Sequence, residues 1–419
     1  MISEKQKKIL AFGYSKYDAL ICDGSIRAGK SSFEMISFID WAMCSFNCQN
    51  FAICGKTVTS VYRNVVNPYM KLSYSRKKYI MQYLRSEHKL IIKYKGVENT
   101  FYLFGGKDES SFMLIQGVTL AGLFCDEVVL MCQSFVEQAI ARCSVEGAKI
   151  YFNCNPDSPE HWFYKDWICD LERHNALYLH FNLEDNPSLS AKKIEWYKSQ
   201  YTGRFYQKYI EGEWVSAEGL VYDCFSKEEN VLSKESILDI LKEGNCEYYL
   251  TCDYGISNPF AVLLIALYDN TAYCLKEYYY DQNEHDGKRL TDEEHYKNIV
   301  KLANGYNIEC LIVDPSATSL KETISRHDDF EDYRGARNNV LEGISYTTTL
   351  LCKHKLYISE DCEHLLQELA VYSWDSDSSV DAVIKENDHA CDALRYFCNT
   401  IAKAEIDLEY SEEDEDNDI

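Results

Sequence analysis

The sequence predicts two successive α/β folds, and three observations carry that prediction. Short apolar runs alternate with helical patterns twice along the chain, with a less regular stretch between the two series. A glycine-rich loop, GSIRAGKS, joins the first apolar run to the first helical pattern. Several buried runs also end in acids, as in LFCDE, LTCDYG and CLIVDPSA. With 419 residues, 46% of them hydrophobic, the chain can build two cores of ordinary domain size.

In the first series, ALICDG at 19–24 reads as a buried strand and SSFEMISFIDWAM as the helix after it. NFAICGK is the next strand and VTSVYRNVVNPYM the next helix. KLIIKYKG and NTFYLFGG read as a hairpin. LAGLFCDEV and AKIYFNCNP are further buried strands, with the helix SFVEQAIARC between them. Strands separated by helices predict a mostly parallel, doubly wound sheet. The helical stretch Ser190–Trp214 is expected to pack beside it as a lid, which closes a first domain over 1–214.

Residues 215–245 read as a connecting segment. The second series then opens with the strand EYYLTCDYG, followed by FAVLLIALY and AYCLKEYYYD, paired through DNT. The helix HYKNIVKLANGY leads to the strand ECLIVDPSA. The strand KLYIS and a last helix, NDHACDALRYFCNTIAK, complete a second domain over 246–404.

The formal charge of −24 argues against nonspecific coating of nucleic acid or anionic membrane. Nine of the excess acids lie in 405–418, so the rest of the chain carries about −15, and 405–419 reads as an acidic disordered tail. The 18 cysteines form no CxxC pair and sit largely in apolar runs, which predicts reduced thiols in the cores. The start, MISEKQKKIL, lacks a signal-peptide core, and FAVLLIALY is far short of the ~20 residues that span a bilayer. The sequence therefore predicts a soluble cytoplasmic protein without membrane contact.

Gly24, Gly29, Lys30 and Ser31 fill the pattern GxxxxGK[ST] between a strand and a helix. Glycines let backbone N–H groups wrap phosphates, and the helix N-terminus adds partial positive charge. In such a P-loop Lys30 would reach the β- and γ-phosphates of ATP and Ser31 would ligate Mg²⁺. The strand before Asp126 and Glu127 supplies the second requirement. Asp126 would hold the metal shell, and Glu127 would orient or deprotonate the attacking water. That adjacent pair points to hydrolysis rather than passive binding. Arg27 in the loop, or Arg142 after the acidic strand and in a neighbouring subunit, could stabilise transferring charge. Asn153 and Asn155 in FNCNP end the next strand, where γ-phosphate can be sensed, and Gln6 could contact adenine.

In the second half Asp253 and Asp314 end buried strands. Asp388 and Asp392 lie four apart on the last helix, with His389 beside them. Acids in this arrangement resemble a two-metal nuclease site, in which two Mg²⁺ or Mn²⁺ ions ~3.5–4 Å apart clamp a phosphodiester. The alternative for each aspartate alone is a cap or turn, and DPS after Val313 is common turn chemistry. The order strand, hairpin, strand, final helix looks like a ribonuclease H-like fold.

Taken in order, GSIRAGKS, LFCDE, FNCNP, DYG, IVDPSA and NDHACDALRY resemble the large terminase subunit of tailed bacteriophages, from Gln6 to about Ala404. GEWVSAEGLVY is similar to that family's junction between ATPase and nuclease. The resemblance implies that Lys30, Ser31, Asp126 and Glu127 run ATP hydrolysis and that Asn155 lies near the segment coupling hydrolysis to movement. It also implies that Asp253, Asp314 and Asp392 are nuclease metal ligands, with Asp388 and His389 adjacent. The implied partners are double-stranded DNA, a portal protein, a small terminase subunit and further copies of the chain in a ring docked on a capsid. For DNA contact, the basic, tyrosine-interleaved stretch Tyr74–Gly96 and the polar stretch Arg326–Asn339 are the candidates. Two alternatives are a helicase-like or repair P-loop ATPase whose second domain binds but does not cut nucleic acid, and a structural or regulatory subunit with decayed sites.

Overall fold

In the computed structural model, residues 2–408 are described, apart from 243, 256–258, 286, 376, 377 and 379. The chain divides into two compact units. One holds 1–198 with 203–216, and the other holds 199–202 with 217–419.

The first unit is built on eight strands: β1 (Ala19–Gly24), β2 (Asn50–Gly55), β3 (Ile80–Leu84), β4 (Lys89–Tyr94), β5 (Val97–Gly105), β6 (Gly122–Cys125), β7 (Lys149–Asn153) and β8 (Ala176–Phe181). Their spatial order is β3-β4-β5-β2-β6-β7-β1-β8. From β5 to β8 every pairing is parallel, while β3, β4 and β5 form an antiparallel meander at one edge. The difference follows from burial. β1 and β6 are buried at every position, as strands covered on both faces must be, whereas β4 and β5 alternate between buried and less buried residues. The edge strands β3 and β8 are not among the predicted strands; β3 has no buried position and β8 is buried at only three of its six.

Helix α1 (Glu4–Phe12) and helix α2 (Lys30–Ser45) cover one face. Met35, Phe38, Ile39 and Ala42 of α2 recur at helical spacing and are buried. Phe38 meets the rings of Phe51, Phe124 and Tyr151 at 5.2–5.9 Å. Helix α3 (Gln133–Arg142) lies in the second core of this unit with Phe135, Val136 and Ala139. The expected lid helix is interrupted. It runs Ala191–Ser199, resumes at Gly203–Tyr206 and continues as a π-helical turn, Gln207–Glu211.

The second unit contains β9 (Val231–Leu232), β10 (Glu247–Asp253), β11 (Phe260–Tyr268), β12 (Thr271–Tyr280), β13 (Ile308–Val313), β14 (Tyr333–Gly335) and β15 (Leu356–Ser359). Their order is β14-β13-β10-β11-β12-β15-β9. β10, β11 and β12 form an antiparallel meander, and β13 joins β10 in parallel through a crossover by α4 (Asp292–Ala303). Helices α5 (Thr318–Ile324), α6 (Val340–Cys352), α7 (Glu363–Val371) and α8 (His389–Phe397) complete this unit. Residues 217–245 belong to it, supplying β9 and a helix, Lys234–Leu241. At the far end Ile406 and Leu408 are buried, so 405–408 are folded chain; the remainder of the acidic tail lies outside the described residues. Among the described residues no helix is long and apolar enough to cross a membrane.

Candidate functional site

Parallel strands place the residues that follow them along one edge of the sheet, where α/β folds bind ligands. In the first unit β6, β7 and β1 are neighbours, so Asp126, Asn153 and the loop after Gly24 converge. Gly24 has φ 116, and a Cβ there would lie 2.0 Å from the Phe181 carbonyl, so only glycine fits. Arg27, at φ 57, and Glu127, at φ 55, are non-glycine residues held in the left-handed region, at about 1–2 kcal/mol each.

Lys30 opens α2 and is buried. Its ammonium donates to the carbonyls of Gly24 (3.0 Å) and Ser25 (2.7 Å) and to Asn155 Oδ1 (3.1 Å). The Asn155 side-chain amide donates to Glu127 Oε1 and its backbone N–H to Glu127 Oε2, both at 3.0 Å. Asn153 accepts from the Glu127 N–H (3.0 Å) and donates to Asp126 Oδ1 (3.2 Å). Burial raises the Asp126 carboxyl against the Ser31 hydroxyl, Asn153 and Lys30, which favour its charged form. Burial and the neighbouring Asp126 raise Glu127, while Lys30 and Asn155 oppose the rise. Lys30, Ser31, Asp126, Glu127, Asn153 and Asn155 thus form one linked group.

Of the other residues singled out from the sequence, Gln6 and Arg27 lie at the margin of this group and Arg142 lies away from it. Gln6 is buried, with Oε1 accepting from the Ser3 N–H at 3.0 Å and Nε2 3.2 Å from where a Gly29 Cβ would stand. Arg27 is exposed, and its carbonyl accepts from Asn186 Nδ2 at 2.7 Å. Arg142 ends α3, and its carbonyl accepts from the Leu120 N–H just before β6 begins, at the opposite end of that strand from Asp126.

Three groups near this site escaped the sequence reading. Glu34 of α2 is fully buried, and burial lifts its carboxyl well above the ordinary range despite nearby Asn153 and Cys22. Asp23, also fully buried, accepts from Tyr178 OH (2.9 Å), His180 Nδ1 (3.0 Å) and Trp214 Nε1 (2.8 Å). The segment that carries Trp214 rests on the loop. Ile26 N–H donates to the Tyr209 carbonyl at 3.0 Å, and a Cβ on Gly212 would stand 2.8 Å from Gly24 Cα. Only the lone tryptophan of GEW hinted at this joint.

In the second unit β10 and β13 pair with Cys252 opposite Val313, so Asp253 and Asp314 end neighbouring strands. Asp314 N–H donates to the Cys252 carbonyl at 3.2 Å, and its carboxylate accepts from Ser316 N–H (2.9 Å) and Oγ (2.6 Å). The turn chemistry of DPS is therefore present together with the strand-end placement. Asp253 Oδ2 faces His389 Nδ1 at 3.0 Å, and its Oδ1 accepts from Tyr396 OH at 3.2 Å. Burial raises the Asp253 carboxyl; His389 opposes this, and Asp392 and Asp314 add to it. Burial is the largest influence on His389 and lowers it, but the hydrogen bond to Asp253 and the charges of Asp253, Asp388 and Glu368 together outweigh it, and the imidazole is raised.

Asp388 is the N-cap of α8 rather than a residue inside the helix, and Asp392 stands one turn on. Lys385 Nζ donates to both carboxylates, at 3.0 and 3.2 Å, and Arg395 Nε donates to Asp392 Oδ1 at 3.0 Å. Among the described residues no three His, Cys, Asp or Glu side chains stand together as a ready metal cluster. In the two stretches suggested for DNA, Lys78 pairs with Asp40, Lys89 with Glu87, Lys93 with Glu98, Arg326 with Glu322 and Arg334 with Asp332.

Comparison with known proteins agrees with this architecture. Residues 21–227 match the family described as terminase large subunit, T4likevirus-type, N-terminal. The large terminase subunit of Escherichia phage T5 is 24% identical over 236 residues, which is 55% of this chain and 52% of that protein, so the match spans about half of that relative. The structure of the large terminase from a thermophilic bacteriophage superposes with a TM-score of 0.85 at 43% identity, covering 96% of this chain and 99% of that one. The same phage protein in complex with ADP gives a TM-score of 0.85 at 41% identity over 96% and 99% of the two chains. With ATP-γ-S bound it gives 0.84 at 41% identity, with the same coverage. At that identity over nearly its whole length, the chain belongs to the large terminase family.

Proposed function

We propose that this chain is the motor and cutting subunit of a phage DNA-packaging machine. ATP hydrolysis drives double-stranded DNA into a procapsid, and a metal-dependent endonuclease centre cuts concatemeric DNA. The observation that carries this reading is the presence of two acid-lined sites on two separate sheets of one chain: Lys30, Asp126 and Glu127 on one, Asp253 and Asp314 on the other. Residues 1–214 serve as the ATPase domain and 246–404 as the nuclease domain, with 215–245 linking them while adding β9 to the second sheet.

At the first site Gly24, Gly29 and the loop amides wrap the phosphates, and Lys30 exchanges its carbonyl partners for β- and γ-phosphate oxygens. Ser31 and Asp126 are neighbouring hard oxygen donors, a pair that suits Mg²⁺. Glu127, its basicity raised by burial and by Asp126, takes a proton from the attacking water. Asn155, bonded to both Lys30 and Glu127, reports the γ-phosphate to the base. Arg27 acts on the loop in cis or Arg142 in trans from a neighbouring copy, and Gln6 borders the adenine.

At the second site Asp253, Asp314, Asp388 and Asp392 offer carboxylate oxygens, the donor type that Mg²⁺ and Mn²⁺ prefer. A pair of such ions, when bound, would supply Lewis acidity to the attacking and leaving oxygens of phosphodiester cleavage. His389 and Tyr396 orient Asp253, and Lys385 balances Asp388 and Asp392. The partners in this role are DNA, a portal protein, a small terminase subunit and a ring of like chains, in the host cytoplasm and docked on the procapsid.

The test is plasmid cleavage by the purified chain with Mn²⁺, Mg²⁺ or EDTA, beside Asp253→Ala, with phosphate release from ATP measured in parallel. Metal-dependent cutting lost in the variant, with ATP hydrolysis kept, is the expected result. A folded chain that hydrolyses ATP but never cuts would leave a translocase without a nuclease.

A further inference from the structure

Helix α8 has Asp388 at its N-cap and His389 and Asp392 in its first turn, and the way that turn is capped is unusual. An aspartate at the N-cap ordinarily accepts from the backbone N–H groups two and three residues on. Asp388 holds the N-cap position but makes no such bond, and its carboxylate is turned to Lys385. The two orphan donors go elsewhere. Ala390 N–H donates to Glu368 Oε2 at 2.7 Å and Cys391 N–H to the same oxygen at 2.9 Å. Glu368 belongs to α7, is 4% exposed, and accepts from Tyr279 OH through its other oxygen at 3.0 Å.

A buried carboxylate costs free energy unless it is fully hydrogen-bonded, and Glu368 is bonded at both oxygens. Its charge also lies at the positive end of the α8 dipole. The cap has therefore been moved from the helix's own aspartate to a residue of a neighbouring helix.

We propose that Glu368 is a positioning residue for the aspartate centre. By capping α8 from outside, it frees the Asp388 carboxylate to face the centre and fixes the turn that presents His389 and Asp392. The inference rests on the reading of that centre as a metal-dependent cutting site.

The test uses the full chain with Glu368→Ala and Glu368→Gln. Three quantities are measured: the Mn²⁺ concentration giving half-maximal plasmid cleavage, deuterium uptake of peptides covering 388–396, and ATP hydrolysis as a control on folding. Glu368→Ala is expected to raise the half-saturating Mn²⁺ about tenfold or more, as losses behind metal ligands do, with part of the rate recovered at high Mn²⁺. Its α8 amides should exchange faster while ATP hydrolysis holds. Glu368→Gln keeps an acceptor oxygen and should stay near wild type in both.

Unchanged Mn²⁺ dependence and unchanged exchange in Glu368→Ala, beside a wild type that cuts, would overturn the positioning role and leave the cutting site standing. Equal damage from Gln and Ala would also overturn it, since the acceptor would then not matter. A wild type that cuts at no Mn²⁺ concentration would instead remove the cutting site, while exchange still reported whether Glu368 caps the helix. If Glu368→Ala loses ATP hydrolysis, Glu368→Asp, too short to reach both donors, replaces it under the same criteria.

Discussion

At the phosphate loop, Asp126 and Glu127 take hydrogen bonds from neutral groups, the amides of Asn153 and Asn155. At the end of β10 and the start of α8 the acids are met mainly by groups that carry or can carry positive charge: Lys385 on Asp388 and Asp392, Arg395 on Asp392, His389 on Asp253. Neutral donors orient a carboxylate and leave its charge available. Cationic partners cancel it, and a divalent ion bound there would have to compete with them. Lys385 is the exchangeable member, with its side chain 57% exposed, whereas Arg395 is 1% exposed and fixed. The first site is thus set by geometry and the second by a charge balance that can be redrawn.

The largest expected effect sharpens this contrast. Glu127→Gln keeps the shape of the first site and one acceptor oxygen toward Asn155, so ATP binding should persist. Turnover should fall about 10²–10⁴-fold, the range for losing a positioned base. Nucleotide binding by fluorescence and phosphate release measure the two separately, and undiminished release would remove Glu127 from the role. Asp314→Asn makes the matching change in the second unit. Cutting should drop below detection while ATP hydrolysis stays within about twofold, because the residue lies on a separate sheet. Loss of both activities would break the contrast between two independent sites.

The contrast also separates what was readable in the sequence from what was not. GSIRAGKS and LFCDE are contiguous, because wrapping phosphates and ending a strand in acid are local tasks. Asp253 and Asp314 were readable for the same reason, each closing its own apolar run. Other supports were not, because they come from distant parts of the chain. Trp214 reaches Asp23 across 191 positions, and Glu368 reaches Ala390 and Cys391 from another helix. Glu34 has the spacing of any polar residue in an amphipathic helix, and only the packed structure reveals its full burial. Asp388 looked like a helix-interior residue, and its N-cap place depends on where α8 starts, a boundary that local pattern fixes poorly. The cores of the two mixed sheets were legible from apolar runs. The edge strands β3, β8, β9 and β14 were not, as short strands at an edge need little apolar patterning.

An intermediate effect tests how the loop is held from below. Trp214→Phe keeps an aromatic ring, though a smaller one, and removes one of three donors to the buried Asp23 carboxylate. A buried acceptor deprived of a partner costs about 1–3 kcal/mol, so the first unit should unfold at lower urea by that amount. ATP turnover should fall as well, since Gly212 and Tyr209 of the same segment touch the loop. An unchanged urea midpoint would mean that water replaces the indole donor and that the joint carries no strain.

The smallest effect concerns His180, the third donor to Asp23. The hydrogen bond to Asp23 raises the imidazole above its ordinary value, although burial opposes the rise. A group whose pKa is higher in the folded state stabilises the fold fully below its unfolded pKa of about 6.5. That contribution is lost as pH rises through the folded value. The stability difference between wild type and His180→Ala should therefore be greatest near pH 5.5 and shrink by pH 8.5. Because the His180 side chain is 37% exposed, solvent screening should hold the pH-dependent part to about 0.3–1 kcal/mol. Urea titrations at the two pH values measure it. A difference that stayed constant with pH would show that Asp23 binds His180 as a neutral donor only, placing this joint with the neutral-donor chemistry of the phosphate loop rather than with the charge balance around α8.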